Sequence, residues 1–224
     1  MKLTVIVPML NEARVLPQLL AQLQRVQADG HQLLLVDGGS NDGSAQQART
    51  AGFQVIESAR GRARQMNAGV EHASGDVLLF LHADTRLPAG YWPAIQQGLA
   101  QRNTVWGRFD VSIEGRPWML RVVSLMINLR SRLSGIATGD QAMFVKHGAF
   151  IEAGRFADLP LMEDIDLSQR LLRVSRPLCL RQRVITSGRR WETRGVWTTI
   201  FLMWRLRYAY WRGVPASELA KAYS

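Results

Sequence analysis

Short apolar runs alternate with amphipathic stretches through the first third of the chain. Residues 3–7, 33–36, 53–56 and 77–81 are the apolar runs. Between them, at 12–27, 42–51 and 61–73, apolar side chains recur at three- and four-residue spacing, as Leu16, Leu19, Leu20 and Leu23 do. Strands apolar on both faces, separated by helical periods, predict an α/β fold whose mostly parallel sheet is covered by helices. In such sheets ligands gather beyond the carboxyl ends of the strands. The polar residues at those ends, Asn11, Glu12, Asp37, His82 and Asp84, are therefore the first candidates for chemistry.

The second half is less regular. The pattern predicts strands at 104–113, 141–145 and 178–185. It predicts helices at 118–133, 164–174 and 197–211, then a short tail at 215–223. No repeat or linker interrupts it. The longest apolar run, 196–204, stops at Arg205, short of the ~18–20 residues that span a bilayer. With Leu206, Tyr208, Ala209, Tyr210 and Trp211 it reads either as an interfacial helix or as a helix packed on the domain.

The 224 residues are 47% hydrophobic and 21% charged, which excludes collagen-like, low-complexity and wholly disordered chains. Charge adds more. The net charge is +10, and between 173 and 212 ten arginines stand against one acid, Glu192. A local basic surface asks for an anionic partner: ligand phosphates, acidic lipid headgroups or nucleic acid. Cys179 is the one cysteine, so no internal disulfide and no cysteine metal cluster is possible. It is expected as an inert core thiol. No basic-then-apolar leader precedes the first strand, and the expected compartment is the cytoplasm.

Five clusters carry candidate chemistry. Asp37 ends an apolar strand that runs into Gly38-Gly39-Ser40, a turn whose backbone can approach a ligand while the acid accepts its N–H or O–H groups. Asn41 or Asp42 suits a helix N-cap. His82-Ala83-Asp84 follows the fourth strand, and period-two alternation would send both ligands to one side. Two ligands suffice for Mn²⁺ or Mg²⁺ when a diphosphate supplies further oxygens. Glu163, Asp164 and Asp166 open a helix, where the dipole favours acids. The first two are also adjacent, and adjacent carboxylates raise one another's pKa, which suits a general base. Arg62 and Arg64 lie near a helix N-terminus, where anions bind. Arg189-Arg190-Trp191 reads as a phosphate clamp with a stacking ring, or as a surface loop with one buried Trp.

In this order the clusters resemble glycosyltransferase family 2, the inverting GT-A type. Residues 5–12 resemble its opening strand with Pro-x-x-Asn-Glu, and 36–44 its Val-Asp-Asp-Gly-Ser-x-Asp-Gly-Ser/Thr. Residues 61–69 align without gaps on Gly-Lys-Gly-x-Ala-x-Asn-x-Gly. His82-Ala83-Asp84 stands at Asp-x-Asp, Glu163-Asp164 at Glu-Asp, and Arg189-Arg190-Trp191 is similar to the later Arg-Trp element. Leu81-His82-Ala83-Asp84-Thr85 looks like a small bacterial-type subgroup.

The resemblance implies a Rossmann-like GT-A domain over 1–192, with a nucleotide-sugar half at about 1–90 and an acceptor half at about 91–192. A basic, aromatic helical extension at 193–224 would follow. It implies a hexosyltransferase-like enzyme using a nucleotide-sugar donor, most often UDP-linked, with Mn²⁺ or Mg²⁺. Carried over, Pro8, Asn11, Glu12 and Asp37 would line the nucleoside pocket. Arg62, Asn67, His82, Arg189, Arg190 and Trp191 would complete the donor site. Asp84 would hold the metal, and Asp164, or else Glu163, would deprotonate the acceptor. His82 departs from the first Asp of Asp-x-Asp, and Gly38 from a second Asp.

The chain's length and lack of a multi-span region weigh against a processive polymer synthase. The basic extension would hold a phosphorylated or lipid-linked acceptor, or dock on an anionic membrane surface. Two alternatives stay open: a sugar-1-phosphate nucleotidyltransferase, although its Gly-rich opening signature is missing, and a non-catalytic anion- or nucleic-acid-binding protein resting on the basic segment.

Overall fold

The computed structural model describes residues 1–101 and 103–223. Arg102, inside the expected acceptor half, and Ser224, at the end of the expected extension, lie outside the described residues. In chain order the elements are β1 (Leu3–Met9), α1 (Leu16–Ala28), β2 (Gln32–Asp37), α2 (Ser44–Thr50), β3 (Val55–Glu57), α3 (Arg62–Glu71), β4 (Val77–Phe80), β5 (Thr85–Arg86) and α4 (Tyr91–Leu99). There follow β6 (Trp106–Glu114), α5 (Met119–Ser134), β7 (Phe144–Lys146), α6 (His147–Glu152), α7 (Glu163–Leu172), β8 (Leu178–Ser187), α8 (Arg189–Arg194), α9 (Val196–Trp211) and α10 (Ala216–Tyr223).

The strands form one sheet in the order β3-β2-β1-β4-β7-β6-β8-β5. β3, β2, β1 and β4 run parallel, as the apolar runs predicted. β7 is antiparallel to β4 and β6, β6 is parallel to β8, and β5 closes the far edge antiparallel to β8. Alternate residues of the parallel strands enter two separate cores. Val5, Val7 and Leu35 join the α1 side with Leu16 and Leu23, while Ile6, Leu34 and Val36 join the α3 side with Met66 and Leu171. Two-sided burial is why these strands read as unbroken apolar runs. Gly69 lets α3 lie close on β1, because a Cβ there would stand 2.6 Å from Ile6 Cγ2.

β6 is tied to α5 by polar groups. Arg108, fully buried, pairs with Asp110 and donates to Ser131 Oγ and the Asn128 carbonyl. The Asn128 side chain in turn bridges the Val111 N–H and C=O at 2.8 and 2.9 Å. This buried network fixes which face of α5 points inward. The opposite face leaves Val122, Leu125, Met126, Leu129 and Leu133 in solvent.

Several expectations are corrected. The helix expected from residue 12 starts at Leu16. The N–H groups of Val15 and Leu16 both turn back to the Glu12 carbonyl, so Glu12 sits on a loop. The strand expected at 53–56 shifts to Val55–Glu57, because Phe53 folds onto α2 through the Ala48 carbonyl. Residues 139–141 form a 3-10 turn and β7 begins only at Phe144. β5, α4, α6 and α8 had no strong periodic signal, and the tail at 215–223 forms α10. Cys179 is half-buried and not a core thiol, since it stands in the less covered first half of β8.

Candidate functional site

Two loops meet beyond the carboxyl ends of β1 and β2. Asn11 takes a left-handed conformation (φ 55°), which its short polar side chain tolerates better than most. Its N–H donates to Ser40 Oγ and its Oδ1 accepts from the Asn41 N–H, both at 2.9 Å. The Glu12 N–H donates to Ser44 Oγ, and the Ala13 N–H to Asp42. Asp37 is buried and accepts from the Gly39 and Ser40 N–H groups and the Ser40 hydroxyl. These bonds order the turn before any ligand arrives. Pro8 lies half-buried in β1 beside Val36 of β2.

The sequence reading missed Gln65. Its amide donates to the Met9 and Val36 carbonyls and so clamps the two strand ends. A Cβ on Gly38 would come within 2.9 Å of that side chain. The glycine where the family has a second Asp was the available signal.

Glu12 ties the loops to the rest of the site. Partial burial pushes its carboxyl up. The Arg189 guanidinium pulls it back, Asp84 and Asp42 add like charge, and Arg62 lowers it further. The site therefore gathers residues from five separate segments.

The turn after β4 separates His82 from Asp84. The strand ends at Phe80, so the alternation expected to send both to one side does not apply. Asp84 Oδ1 accepts from the Thr85 and Thr186 hydroxyls at 3.4 and 3.5 Å. Its Oδ2 has no hydrogen bond among the described residues. No group of three His, Cys, Asp or Glu able to hold a metal occurs among the described residues. One anchored carboxylate with a free oxygen still fits Mg²⁺ or Mn²⁺, which commonly take one or two carboxylates plus phosphate oxygens and water.

His82 faces the other way. Burial, with the Arg62 charge beside it, holds its imidazole well below the usual range and therefore neutral at pH 7. Its ring fills the space beside Gly139, where a Cβ would collide with Nε2.

Glu163 and Asp164 open α7 immediately after Met162, which is held at φ 71°. Asp164 Oδ2 accepts from the Gly139 N–H and Oδ1 from its neighbour Ile165, each at 2.7 Å. Burial nonetheless raises its pKa. The Glu163 side chain is 6% exposed, and its nearest cation is Arg62 Nη1, 4.0 Å from Oε1. Burial and the Asp164 charge push Glu163 up to about 7. His82, Gly139, Glu163 and Asp164 line one small crevice with Met66, Phe80, Met143 and Phe156.

Other expected residues are committed elsewhere. Asn67 uses both ends of its amide on the Phe156 backbone, and Arg64 forms a two-bond pair with Asp158. Trp191 packs on the core beside Val196 and Ile200. Arg190 lies over the Tyr223 ring, 4.0 Å from its centroid, and still feels Asp84.

A larger cavity of about 610 Å³ opens between α5, α7 and α9. Arg130, Arg207, Ile165, Tyr210 and Trp211 are among its lining residues. Both guanidiniums feel the Asp164 and Asp140 charges, and burial with the repulsion of Arg207 brings Arg130 down to about 10. Arg130 Nη2 and Asp140 Oδ1 are buried without a hydrogen-bond partner. Nothing in the sequence pattern marked this pair, because residues 130 and 207 are far apart in the chain and meet only at this cavity.

Comparison with known proteins supplies the context. The family model described as "Glycosyl transferase family 2" matches residues 4–154. An undecaprenyl-phosphate 4-deoxy-4-formamido-L-arabinose transferase of Sodalis glossinidius is 29% identical over 158 residues, covering 65% of this chain and 48% of that protein. An uncharacterized glycosyltransferase of Mycobacterium tuberculosis is 33% identical over 132 residues, 58% of this chain and 59% of that protein. The chain thus spans about half the length of these curated relatives.

Among solved structures, a mannosyltransferase from Pyrobaculum calidifontis in complex with GDP-Man and Mn²⁺ superposes with a TM-score of 0.66 at 21% identity, covering 93% of this chain and 61% of that one. The S. aureus TarS 1-349 structure in complex with UDP-GlcNAc gives 0.65 at 17% identity, covering 84% and 58%. Both share the α/β fold with its mostly parallel sheet.

Proposed function

The chain belongs to glycosyl transferase family 2, and from that premise we propose that it moves a sugar from a nucleoside-diphosphate donor to an acceptor hydroxyl, with inversion at the anomeric carbon. One observation carries the reading. Loops after β1, β2 and β4 and the first turns of α3 and α7 carry Glu12, Asp37, Asp84, Arg62 and the Glu163–Asp164 pair, and Arg62 lies near both Glu12 and Glu163. Membership of the family sets the nucleotidyltransferase and the nucleic-acid binder aside.

In this reading the nucleoside sits against the Asn11–Asp37 loops, with Arg62 and Arg189 toward the diphosphate. Asp84 would hold Mn²⁺ or Mg²⁺, whose chemistry is charge stabilisation on the leaving diphosphate. Asp164 takes the acceptor's proton as the acceptor oxygen bonds to the anomeric carbon. The carbon–oxygen bond to the diphosphate breaks, and the nucleoside diphosphate leaves with the electron pair. Neutral His82 closes the crevice beside the base without adding charge. A UDP-linked donor is the first choice, as in the UDP-GlcNAc complex of TarS. The GDP-Man complex of the archaeal enzyme makes GDP the next one to try.

The acceptor has two readings. A hydroxyl needs the base. A phosphate oxygen, as the undecaprenyl-phosphate relative's name suggests, is already ionised, and the Arg130–Arg207 cavity near Asp164 makes it the second reading.

Thermal denaturation with UDP, GDP, CDP and dTDP, each with and without Mn²⁺, tests the donor site. Ligand at ~100 times its Kd adds about 2.7 kcal/mol, a rise of roughly 5–11 °C for a domain of this size. The expected result is a shift with one nucleotide, dependent on Mn²⁺ and lost in Asp84→Asn. No shift with any nucleotide would sink the donor assignment.

A further inference from the structure

Of the fourteen large apolar side chains exposed on the described residues, eleven lie on two neighbouring helices or at their first turn. On α9 they are Trp197, Phe201, Trp204, Tyr208 and Trp211, each at least 60% exposed. Their spacing of three and four residues makes one stripe along the helix. The outward row of α5, with Trp118 just before its first turn, supplies the rest. The two helices flank one cavity. Ile127 of α5 and Val196 and Ile200 of α9 pack on the same core, and Arg130 and Arg207 flank the same cavity. A monomer rarely exposes so much large apolar side-chain surface without a partner for it.

The charge of the same helices says what covers it. Neither α5 nor α9 contains Asp or Glu. Arg121 stands exposed on the first and Arg205 on the second, with Arg212 directly after it, while Arg132 pairs with Asp110 and Arg130 and Arg207 line the cavity. Pairing this face with its copy on a second chain would set arginine against arginine. An anionic lipid surface offers the opposite charge, with each basic residue near it adding attraction. Trp and Tyr are the side chains that settle at headgroup depth, with one end apolar and one end wet. Each helix is 16 residues long, and no helix among the described residues is long and apolar enough to cross a membrane. The helices would therefore lie in the interface plane.

We propose that the α5–α9 face docks this protein on the surface of an anionic bilayer. Docking would open the Arg130–Arg207 cavity toward the headgroups, but it stands on the surface alone and does not depend on the donor chemistry.

The test is co-sedimentation of the full chain with vesicles of phosphatidylcholine alone and of phosphatidylcholine with phosphatidylglycerol, across a salt series. The expected result is pelleting with the anionic vesicles at low salt, release as salt rises, and little pelleting with the zwitterionic ones. The double substitution Trp197→Ser with Trp204→Ser removes two exposed rings, so the unfolding temperature stays put while vesicle affinity falls by about tenfold or more. Leu125→Ser with Leu129→Ser repeats the test on α5. Wild-type protein left in the supernatant with anionic vesicles at low salt overturns the proposal, and so does undiminished binding by both double variants. A vesicle-free dimer that both variants abolish also overturns it, in favour of a second copy of the chain.

Discussion

Asp164→Asn will lower turnover by about 10²–10⁴-fold, the range associated with losing a positioned general base, while nucleotide binding is retained. The side chain is buried, and both oxygens already accept backbone N–H groups at 2.7 Å. Those bonds hold one lone pair of each oxygen and fix the carboxylate's direction. The remaining lone pairs are what an acceptor O–H can reach. An amide in its place keeps the shape but would turn an N–H toward the Gly139 or Ile165 donor, so a modest loss of stability is also expected. Steady-state rates and the Mn²⁺-dependent nucleotide shift, measured on the same preparation, separate the effects. Slow turnover with an intact shift supports Asp164 as base toward a hydroxyl acceptor. Turnover near the wild-type rate removes that role and leaves the phosphate acceptor, whose oxygen needs no base.

The parallel half of the fold was legible because its strands bury both faces and its helices bury one. The apolar runs and the Leu16–Leu23 spacing therefore state the architecture directly. The second half was harder for a physical reason. β5 has two residues, β7 three and α8 six, lengths over which no period can be counted. The candidate residues were legible where an acid follows a strand end, as for Asp37 and Asp84, or opens a helix, as for the Glu163–Asp164 pair. The site was not legible where a contact joins distant segments. Thr186 meets Asp84 across 102 positions, and Gln65 crosses 56 to reach Met9. Glu12 is instructive from both sides. It was singled out as a loop-end acid and yet was also assigned to a helix, and only the backward hydrogen bonds to its carbonyl free it for the site.

Glu163→Gln will stabilise the fold at high pH and leave it unchanged at low pH. The carboxyl is pushed from its ordinary 4.5 to about 7 by burial and the Asp164 charge, and Arg62 at 4.0 Å recovers only part of this. A raised carboxyl means that the folded state holds a proton the unfolded chain releases. Stability from this group is therefore complete below about pH 4.5, falls as pH rises to about 7 and levels off above it. At about pH 8 the wild-type protein keeps an unfavourable buried charge that costs on the order of 3 kcal/mol. The amide carries no such charge, so its Tm should exceed the wild type's there by roughly 6–12 °C, with the difference vanishing at about pH 4. Melting curves of both proteins across this range decide it. A gain of equal size at every pH would mean that the substitution acts through packing, and a loss at high pH would mean that the carboxylate is paired more strongly than the 4.0 Å contact implies. A carboxylate kept at such a cost belongs to a site whose pKa matters. Asp164 gives up its proton first, while Glu163 is still neutral, so Glu163 adds no charge against that step. The acid limb of the pH–rate profile therefore stays in place in Glu163→Gln if Asp164 is the base, and activity disappears at all pH values if Glu163 is.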